Sequence, residues 1–252
     1  MPASTGRRAN LVPDVEQLVE RLTQDGVVVL NYDEPFARQV RPNAAPLSVS
    51  VDTDGTRYGA DLTAYNLILA LDKTGFDLRY GKERHIARWV PLLGAHQLYA
   101  ALMGVAVGLS FGIELEEALQ RLTTLQPLPG RMRPLEGPNG ALIIDDTHTS
   151  NPSSLARALA YMGAMRPQPS MKETQTGQIS PRGRLHVVLG DLADPGSDAQ
   201  FNLMELGKQL TQVAATITTQ GDSAAALARA ALDHGSPAQL YARHLFRFRI
   251  PS

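Results

Sequence analysis

The feature that most constrains the fold is a regular alternation of apolar strands and helices in the second half of the chain. Predicted elements in this half are the strand 140–146, the helix 153–163, the strand 185–192, the helix 199–210, the strand 213–220 and the helix 222–235. Parallel strands need crossover connections, which are usually helices, so this alternation is typical of a parallel sheet covered by helices. The second half therefore predicts an α/β domain with a three-layer, Rossmann-like sheet, and no element is evident in the last residues after 235.

The first half predicts a mixed α/β region. DVEQLVERLTQ (14–24) has the spacing of an amphipathic helix, and GVVVLN (26–31) reads as a buried strand. Short β-rich runs follow up to residue 92 and predict a small meander or an extra sheet layer. Two helices then occupy 94–125, the first with an apolar stripe of Leu98, Leu102, Val105 and Leu109. The Pro- and Gly-rich stretch 126–140 predicts a connection, so we expect one domain at 1–127 and another at 128–252.

Composition excludes several functional classes. The formal net charge is −1, which gives no electrostatic reason to expect nucleic acid or an anionic membrane as a partner. No segment approaches the roughly 20 apolar residues of a membrane span, and the first residues carry no apolar signal core. The absence of cysteine excludes disulfides, thiolate metal sites and a cysteine nucleophile. A cytosolic location is expected.

Polar chemistry is concentrated where the strand 140–146 ends and the next helix begins. Asp145 and Asp146 close the strand, His148 lies in the turn, and Asn151 precedes Pro152 at the helix start. Ligands of parallel α/β sheets bind beyond the carboxyl ends of the strands, which is where these carboxylates are expected. The alternative is a capped strand-to-helix turn, in which Asn151 is purely structural.

Five segments in one order resemble motifs of the Mur ligases. Quoted from the chain, they are GVVVLNYDEP (26–35), LLGAHQLYAALMGVAVGLSFGIELEEALQRL (92–122), LPGR (128–131), IIDDTHTSNPSSLARAL (143–159) and HVVLGDLADPGSDAQ (186–200). The third is similar to the family's P-G-R and the fourth to its DDSYNANPxSM segment. The resemblance covers residues 11–235 and is closest to the branch that adds D-alanyl-D-alanine to UDP-N-acetylmuramoyl-tripeptide.

This resemblance implies ATP- and Mg²⁺-dependent formation of an amide bond in peptidoglycan synthesis. It implies that the chain combines the end of the family's central domain with an incomplete, Rossmann-like C-terminal domain. In the family the P-G-R arginine and the strand-end aspartate contact the nucleotide, the aromatic residue of the turn packs near it, and an asparagine after the helix-start histidine reads adenine. The expected cofactor-binding residues, several of them substituted relative to the family, are Gln97, Arg131, Asp145, Asp146, His148 and Asn151.

The chain also departs from the family where ATP chemistry is most demanding. No G-x-x-x-x-G-K-[ST] phosphate-binding loop occurs among its 252 residues. Val15 stands near the position of a lysine that the family carbamylates to bridge magnesium, and the first lysine of the chain is Lys73. The family's K-G-S-R segment is missing. We therefore expect that this chain alone does not catalyse ligation. It is expected to be either a truncated remnant or a nucleotide-binding protein that works with a companion chain supplying the phosphate loop.

Other polar residues have a structural explanation beside a functional one. Asp191, at the end of another predicted strand, either faces the same crevice or caps a turn. Asp33 and Glu34 resemble an acidic pair of the family, but a solvated turn explains them equally. His96 is expected to form a hydrogen bond at a helix start. The sequence contains no HExxH and no GxGxxG motif, which leaves zinc peptidases and dinucleotide oxidoreductases without support.

Overall fold

The computed structural model describes residues 12–55, 59–148, 150–165, 184–193, 199–235 and 239–242. The chain divides into two compact units, Met1–Asp145 and Asp146–Ser252. The domain boundary expected between residues 127 and 128 stays a prediction.

The first unit is built on one mixed five-stranded sheet. Its strands are β1 (Val27–Asn31), β2 (Ala45–Val51), β3 (Leu62–Leu69), β4 (Thr74–Tyr80) and β5 (Glu83–Val90). They pair in chain order, with β1, β2 and β3 parallel and β3, β4 and β5 antiparallel. The predicted meander is therefore present as β3–β5. It is not an extra layer, because β3 hydrogen-bonds to β2 and continues the parallel part of the sheet.

Helices cover this sheet and form the core with it. They are α1 (Val12–Glu20), α2 (Ala95–Ser110) and α3 (Leu115–Leu122). The predicted stripe of α2 is confirmed, since Leu98, Leu102 and Val105 are buried against strand residues such as Leu62 and Phe76. Leu109 packs at the edge of the same cluster.

A two-stranded hairpin ends the first unit. It consists of β6 (Arg133–Glu136) and β7 (Leu142–Asp145), which pair antiparallel with Arg133 opposite Asp145. The sequence predicted the strand at 140–146 as part of a parallel sheet, and that pairing is wrong for the described residues. Its apolar run fits either sheet type, so the pairing partner could not be deduced from the run itself.

The second unit has a parallel sheet with helices packed on it. The elements in chain order are α4 (Pro152–Ala164), β8 (His186–Leu189), α5 (Ala199–Val213), β9 (Thr216–Thr219), α6 (Asp222–Asp233) and β10 (Gln239–Ala242). The strand order is β10-β9-β8, and both pairings are parallel. Leu159, Leu206, Leu210, Ile217 and Leu227 form the core.

Strand β10 corrects the expectation that no element follows residue 235. The sequence also predicts a polar loop at 166–184, rich in Pro, Gly, Ser and Gln, and this loop falls almost wholly outside the described residues. None of the described helices is long and apolar enough to cross a membrane. The α/β class and the parallel pairing of β8 and β9 are as the sequence predicted.

Candidate functional site

The first unit contains a cavity of about 480 Å³ between α2, α3 and the segment 125–131. Most of its wall is carbon. The lining residues are Leu92, Gln97, Ala100, Ala101, Gly104, Val105, Gly108, Ile113, Ala118, Arg121, Leu122, Leu125, Gln126, Leu128 and Arg131. A concave apolar space of this size with a few polar groups is the usual form of a small-molecule site.

Two of the six predicted nucleotide-binding residues, Gln97 and Arg131, line this one cavity. They are 34 positions apart in sequence, so the fold brings them together. Gln97 lies in the first turn of α2, and Arg131 is an exposed residue of the segment that follows α3. An amide and a guanidinium at an apolar cavity provide hydrogen-bond donors and acceptors for a ring edge and a cation for phosphate.

The start of α2 is fixed to the sheet by a buried threonine. Thr74 on β4 has no exposed surface, and its Oγ1 donates to the carbonyl of Leu92 at 2.7 Å. The same oxygen accepts the N–H of Gly94 at 3.0 Å. Gly94 precedes the helix with φ +88°, a left-handed conformation that favours glycine. Gln97 therefore projects from a helix end whose position is set by the core.

Asp145 holds the loop that carries Arg131. Its Oδ2 accepts the N–H of Gly130 at 3.0 Å, and Gly130 has φ +71°. The N–H of Arg131 donates to the carbonyl of Leu128 and closes a turn. Met132 comes next with a side chain only 1 % exposed and φ +51°, a conformation rare for a residue with a side chain. Asp145 thus acts on the cavity through the backbone, and its predicted contact with a nucleotide stays a prediction.

The other three predicted residues belong to the second unit. Asn151 caps α4, since its Oδ1 accepts the N–H of Ser154 at 2.9 Å while the N–H of Asn151 donates to Ser154 Oγ at 3.2 Å. The structural explanation of Asn151 is therefore present. Asp146 is half-buried and His148 is exposed in the turn before the cap. The nucleotide contacts expected of these three residues stay predictions.

Asp191 follows β8 and receives hydrogen bonds from the start of α6. Its Oδ1 accepts the hydroxyl of Ser223 at 2.8 Å and the N–H groups of Ser223 at 2.9 Å and Ala224 at 3.2 Å. The Ser223 hydroxyl, with the Ala224 N–H, holds the pKa of the Asp191 carboxyl below its usual value. Gly221 lets the two segments approach, because a Cβ on it would lie 2.0 Å from Asp191 Oδ2. Of the two explanations open at the sequence level, this geometry is that of a cap.

A hydrogen-bond network around Asp33 was not predicted. Its Oδ2 accepts the Tyr99 hydroxyl at 2.6 Å and the Val51 N–H at 2.8 Å, and its Oδ1 accepts the Ser50 hydroxyl at 2.7 Å. A solvated turn was therefore the wrong alternative for Asp33. Tyr99 lies two residues after Gln97, so this carboxylate braces the first turns of α2. A separation of 66 residues between Asp33 and Tyr99 leaves no local sequence signal for the contact.

Gly104, Arg121 and Gln126 also line the cavity and were not expected to do so. Arg121 is held by Glu117 one helical turn earlier, with Nη2 2.7 Å from Oε1. Helical spacing places Gly104 on the side of α2 that carries Gln97. This spacing is the sequence feature from which the position of Gly104 at the cavity could have been predicted. Nothing in the local sequence distinguishes Gln126 from other polar residues of a loop.

The described residues hold no cluster of three or more acidic or histidine side chains suited to a metal ion. Val15, at the position expected for the family's lysine, packs on α1 against the small apolar cluster of Val19, Leu30 and Val40. A valine side chain has no atom that ligates Mg²⁺. The residues described in this chain therefore do not fit a magnesium site of their own.

Comparison with known proteins places these features in a family. Residues 6–108 match the Mur ligase middle domain. The UDP-N-acetylmuramoyl-tripeptide–D-alanyl-D-alanine ligase of Bacillus subtilis is 24% identical over 230 residues, which are 91% of this chain and 45% of that protein. The chain therefore spans about half the length of the curated relatives it matches.

Solved structures agree at the level of fold. A crystal structure of MurF from Acinetobacter baumannii superposes on this chain with a TM-score of 0.70 at 21% sequence identity. The superposition covers 93% of this chain and 46% of the MurF chain. MurF ligase from Thermotoga maritima, solved in complex with ADP, superposes with a TM-score of 0.67 at 17% sequence identity. This superposition covers 89% of the present chain and 48% of the Thermotoga maritima chain.

Proposed function

The chain belongs to the Mur ligase family, and we propose that it binds a purine nucleotide in the cavity lined by Gln97 and Arg131. The observation that carries the proposal is the convergence of these two residues, expected separately from the sequence, on one apolar cavity of about 480 Å³. The Thermotoga maritima relative was solved with ADP, which agrees with a nucleotide as the ligand.

The cavity provides different chemistry for the two parts of a nucleotide. Carbon walls from α2, α3 and Leu92 favour burial of the flat base, while the amide of Gln97 offers both a donor and an acceptor to its edge. Arg131 supplies a planar cation with several donors, which suits phosphate oxygens. The Asp145–Gly130 hydrogen bond positions the backbone next to that arginine.

We further propose that this 252-residue chain does not catalyse ligation by itself. Transfer of a phosphoryl group from ATP requires the β- and γ-phosphates to be held and their charge neutralised, usually by a glycine-rich loop, a lysine and Mg²⁺. The chain contains no such motif, and Val15 cannot carry the carbamate of a lysine. ADP release should stay at background with UDP-N-acetylmuramoyl-tripeptide and D-alanyl-D-alanine present. Clear turnover by the purified chain would contradict this proposal.

Calorimetric titration with MgATP tests the binding. The wild-type chain is expected to bind, and Arg131→Ala is expected to weaken binding by about tenfold or more, since loss of a charge-assisted contact costs about 1.5–3 kcal/mol. Arg84→Ala is the matched control, because Arg84 is an exposed arginine on β5 outside the cavity lining. Equal losses in the two variants, or no binding by the wild type at millimolar ATP, would refute a site at this cavity.

The edge of β1 favours a second role as partner of a companion chain. The first four residues of β1, VVVL, form a continuous apolar run, as in interior parallel strands, yet within the described residues only β2 pairs with this strand. Val27 is 41% exposed at this edge. A polypeptide that supplies the phosphate-binding loop and adds a strand beside β1 would bury this run.

The second role is tested by mixing this chain with the amino-terminal half of the Bacillus subtilis relative and measuring the mass of the complex by light scattering. The wild-type chain is expected to form a one-to-one complex. Val27→Lys should prevent it, because a lysine at a strand edge opposes pairing, whereas Val27→Thr should preserve it. A complex that tolerates the lysine equally well would show that the β1 edge is not the contact.

A further inference from the structure

Most of the residues that α2 presents to the cavity are small. After Gln97 the wall continues through Ala100, Ala101 and Gly104 to Gly108, with Val105 as the larger apolar side chain on this helix. Gly104 is seven residues after Gln97, which is two helical turns on the same side of the helix and about 10 Å further along its axis. Between Gln97 and Gly104 this wall therefore consists of two alanine side chains and helix backbone.

Among the described residues, no contact or backbone conformation requires glycine at position 104. The residue lies inside α2 and does not have a positive φ, so any L-amino acid fits its backbone conformation. A Cβ built on it meets no atom within 4 Å, so packing does not demand glycine either. Glycine in a helix interior destabilises the helix relative to alanine. What glycine provides at this position is open volume.

The direction of helical side chains shows which volume stays open. A side chain in a helix leans toward the amino terminus and covers the turn before its own Cα. A larger residue at 104 would therefore lie over Ala100 and Ala101, one turn from Gln97. Gly104 keeps this surface, which lies between it and Gln97 along the helix, uncovered.

The lining chemistry indicates what occupies that space. Gln126 lies in the cavity wall formed by 125–131 and adds a second amide to that of Gln97, whereas Arg121 already pairs with Glu117. Apolar surface with amides matches a flat heteroaromatic ring, which has carbon-like faces and hydrogen-bonding edges. A ribose lying there would place hydroxyl groups against carbon and leave them without partners.

We infer that Gly104 determines the depth of the cavity, so that the base of a purine nucleotide lies on the exposed backbone of α2 with its edge at Gln97 and Gln126. This inference rests on the proposed nucleotide-binding function. It makes Gly104 a specificity-determining residue, since each added side-chain carbon takes volume from the base and leaves the phosphate-binding Arg131 untouched.

Titrations with adenosine and with MgATP test the inference. Gly104→Leu is expected to lower the affinity for both ligands by at least about tenfold, which corresponds to ~1.4 kcal/mol. The same variant should have an unchanged or higher Tm, because leucine favours the helix and a Cβ at position 104 meets no atom within 4 Å. Val107→Leu is the matched control, since Val107 is exposed on the same helix but does not line the cavity. Gly104→Ala should shift affinity in the same direction by less.

The possible outcomes distinguish a failure of the inference about Gly104 from a failure of the proposed nucleotide-binding function. Wild-type affinity for adenosine in a folded Gly104→Leu chain, together with weaker MgATP binding by Arg131→Ala, would overturn the role of Gly104 and leave the nucleotide site standing. Absence of binding by the wild type at millimolar ligand would remove both. If Gly104→Leu does not fold, unchanged adenosine affinity in Gly104→Ala and in Gln126→Leu refutes the inference.

Discussion

Single carboxylates in this protein act mainly on backbone groups. Asp145 accepts from Gly130, Asp191 from the start of α6, and Asp33 from Val51 as well as from two hydroxyl groups. Each of them fixes a loop or a helix end relative to a strand. At this scale the sequence identified Asp145 and Asp191 as noteworthy, because both end a strand, but it assigned a ligand to the first and left the second open.

We predict that Asp145→Ala weakens MgATP binding while Asp145→Asn largely preserves it. The alanine removes the acceptor for the Gly130 N–H and frees the loop that carries Arg131, whereas an asparagine oxygen still accepts this bond. Calorimetry on both variants measures the difference. If Asp145 instead contacts the nucleotide through its negative charge, as the family resemblance implies, the asparagine variant will lose as much affinity as the alanine variant.

We predict that Asp191 contributes stability that depends on pH. The folded-state pKa of this carboxyl is lowered from 3.8 by the Ser223 hydroxyl and the Ala224 N–H. Its contribution is therefore fully present above the unfolded-state pKa and is lost as pH falls through the lowered folded-state pKa. Urea unfolding of the wild type and Asp191→Asn should show a stability difference that is largest above the unfolded-state pKa and shrinks as pH falls below it. A difference that stays constant as pH falls would exclude the ionised carboxylate as its cause.

At two junctions between a strand and a helix, the backbone of one segment comes close to a side chain of the other. The junction between β8 and α6 depends on Gly221, whose φ of +99° and missing side chain make room for Asp191. The start of α2 depends similarly on Gly94 and Thr74. Helix and strand identities were predictable from local patterns, whereas these junctions bring together residues that are distant in sequence.

We predict that Gly221→Ala is strongly destabilising. Its Cβ would lie 2.0 Å from Asp191 Oδ2 in a backbone conformation that alanine rarely adopts, so a loss of about 2 kcal/mol or more in the free energy of unfolding is expected. Gly235→Ala serves as the control, because Gly235 also has positive φ (+79°) but no atom within 4 Å of a Cβ. Denaturant melts of both variants should rank them in this order, and similar losses would show that backbone conformation alone sets the cost.

The whole molecule has a separate hydrophobic core in each unit. The core of the first unit contains Leu102 and that of the second contains Leu210, and both side chains are 0% exposed. Each core is assembled from strand and helix residues of its own unit. The division into the units Met1–Asp145 and Asp146–Ser252 is thus visible in the packing.

We predict that core truncations in the two units affect different unfolding steps. Leu102→Ala and Leu210→Ala should each cost about 2–5 kcal/mol, since each leaves a cavity in a packed interior. Scanning calorimetry resolved into two transitions should show the first variant lowering one Tm and the second variant lowering the other. A single transition shifted equally by both would show that the two cores unfold as one cooperative unit.

The sequence by itself determined what depends on local pattern. Apolar periodicity predicted α2 and its buried face, alternation predicted the parallel pairing of β8 and β9, and residue order at 143–159 offered a cap by Asn151 as the alternative to a ligand contact. These properties follow from spacing along one element, where neighbouring residues supply the partners. The motif order also indicated the family.

Only the tertiary structure decided which distant residues meet. It paired β7 with β6, placed β10 beside β9, connected Asp33 to Tyr99 and set Gln97 and Arg131 around one cavity. An apolar strand fits more than one neighbour, and a carboxylate accepts from any donor within reach, so local pattern leaves these choices open. The fold settles them because burial and hydrogen-bond satisfaction act across the whole unit.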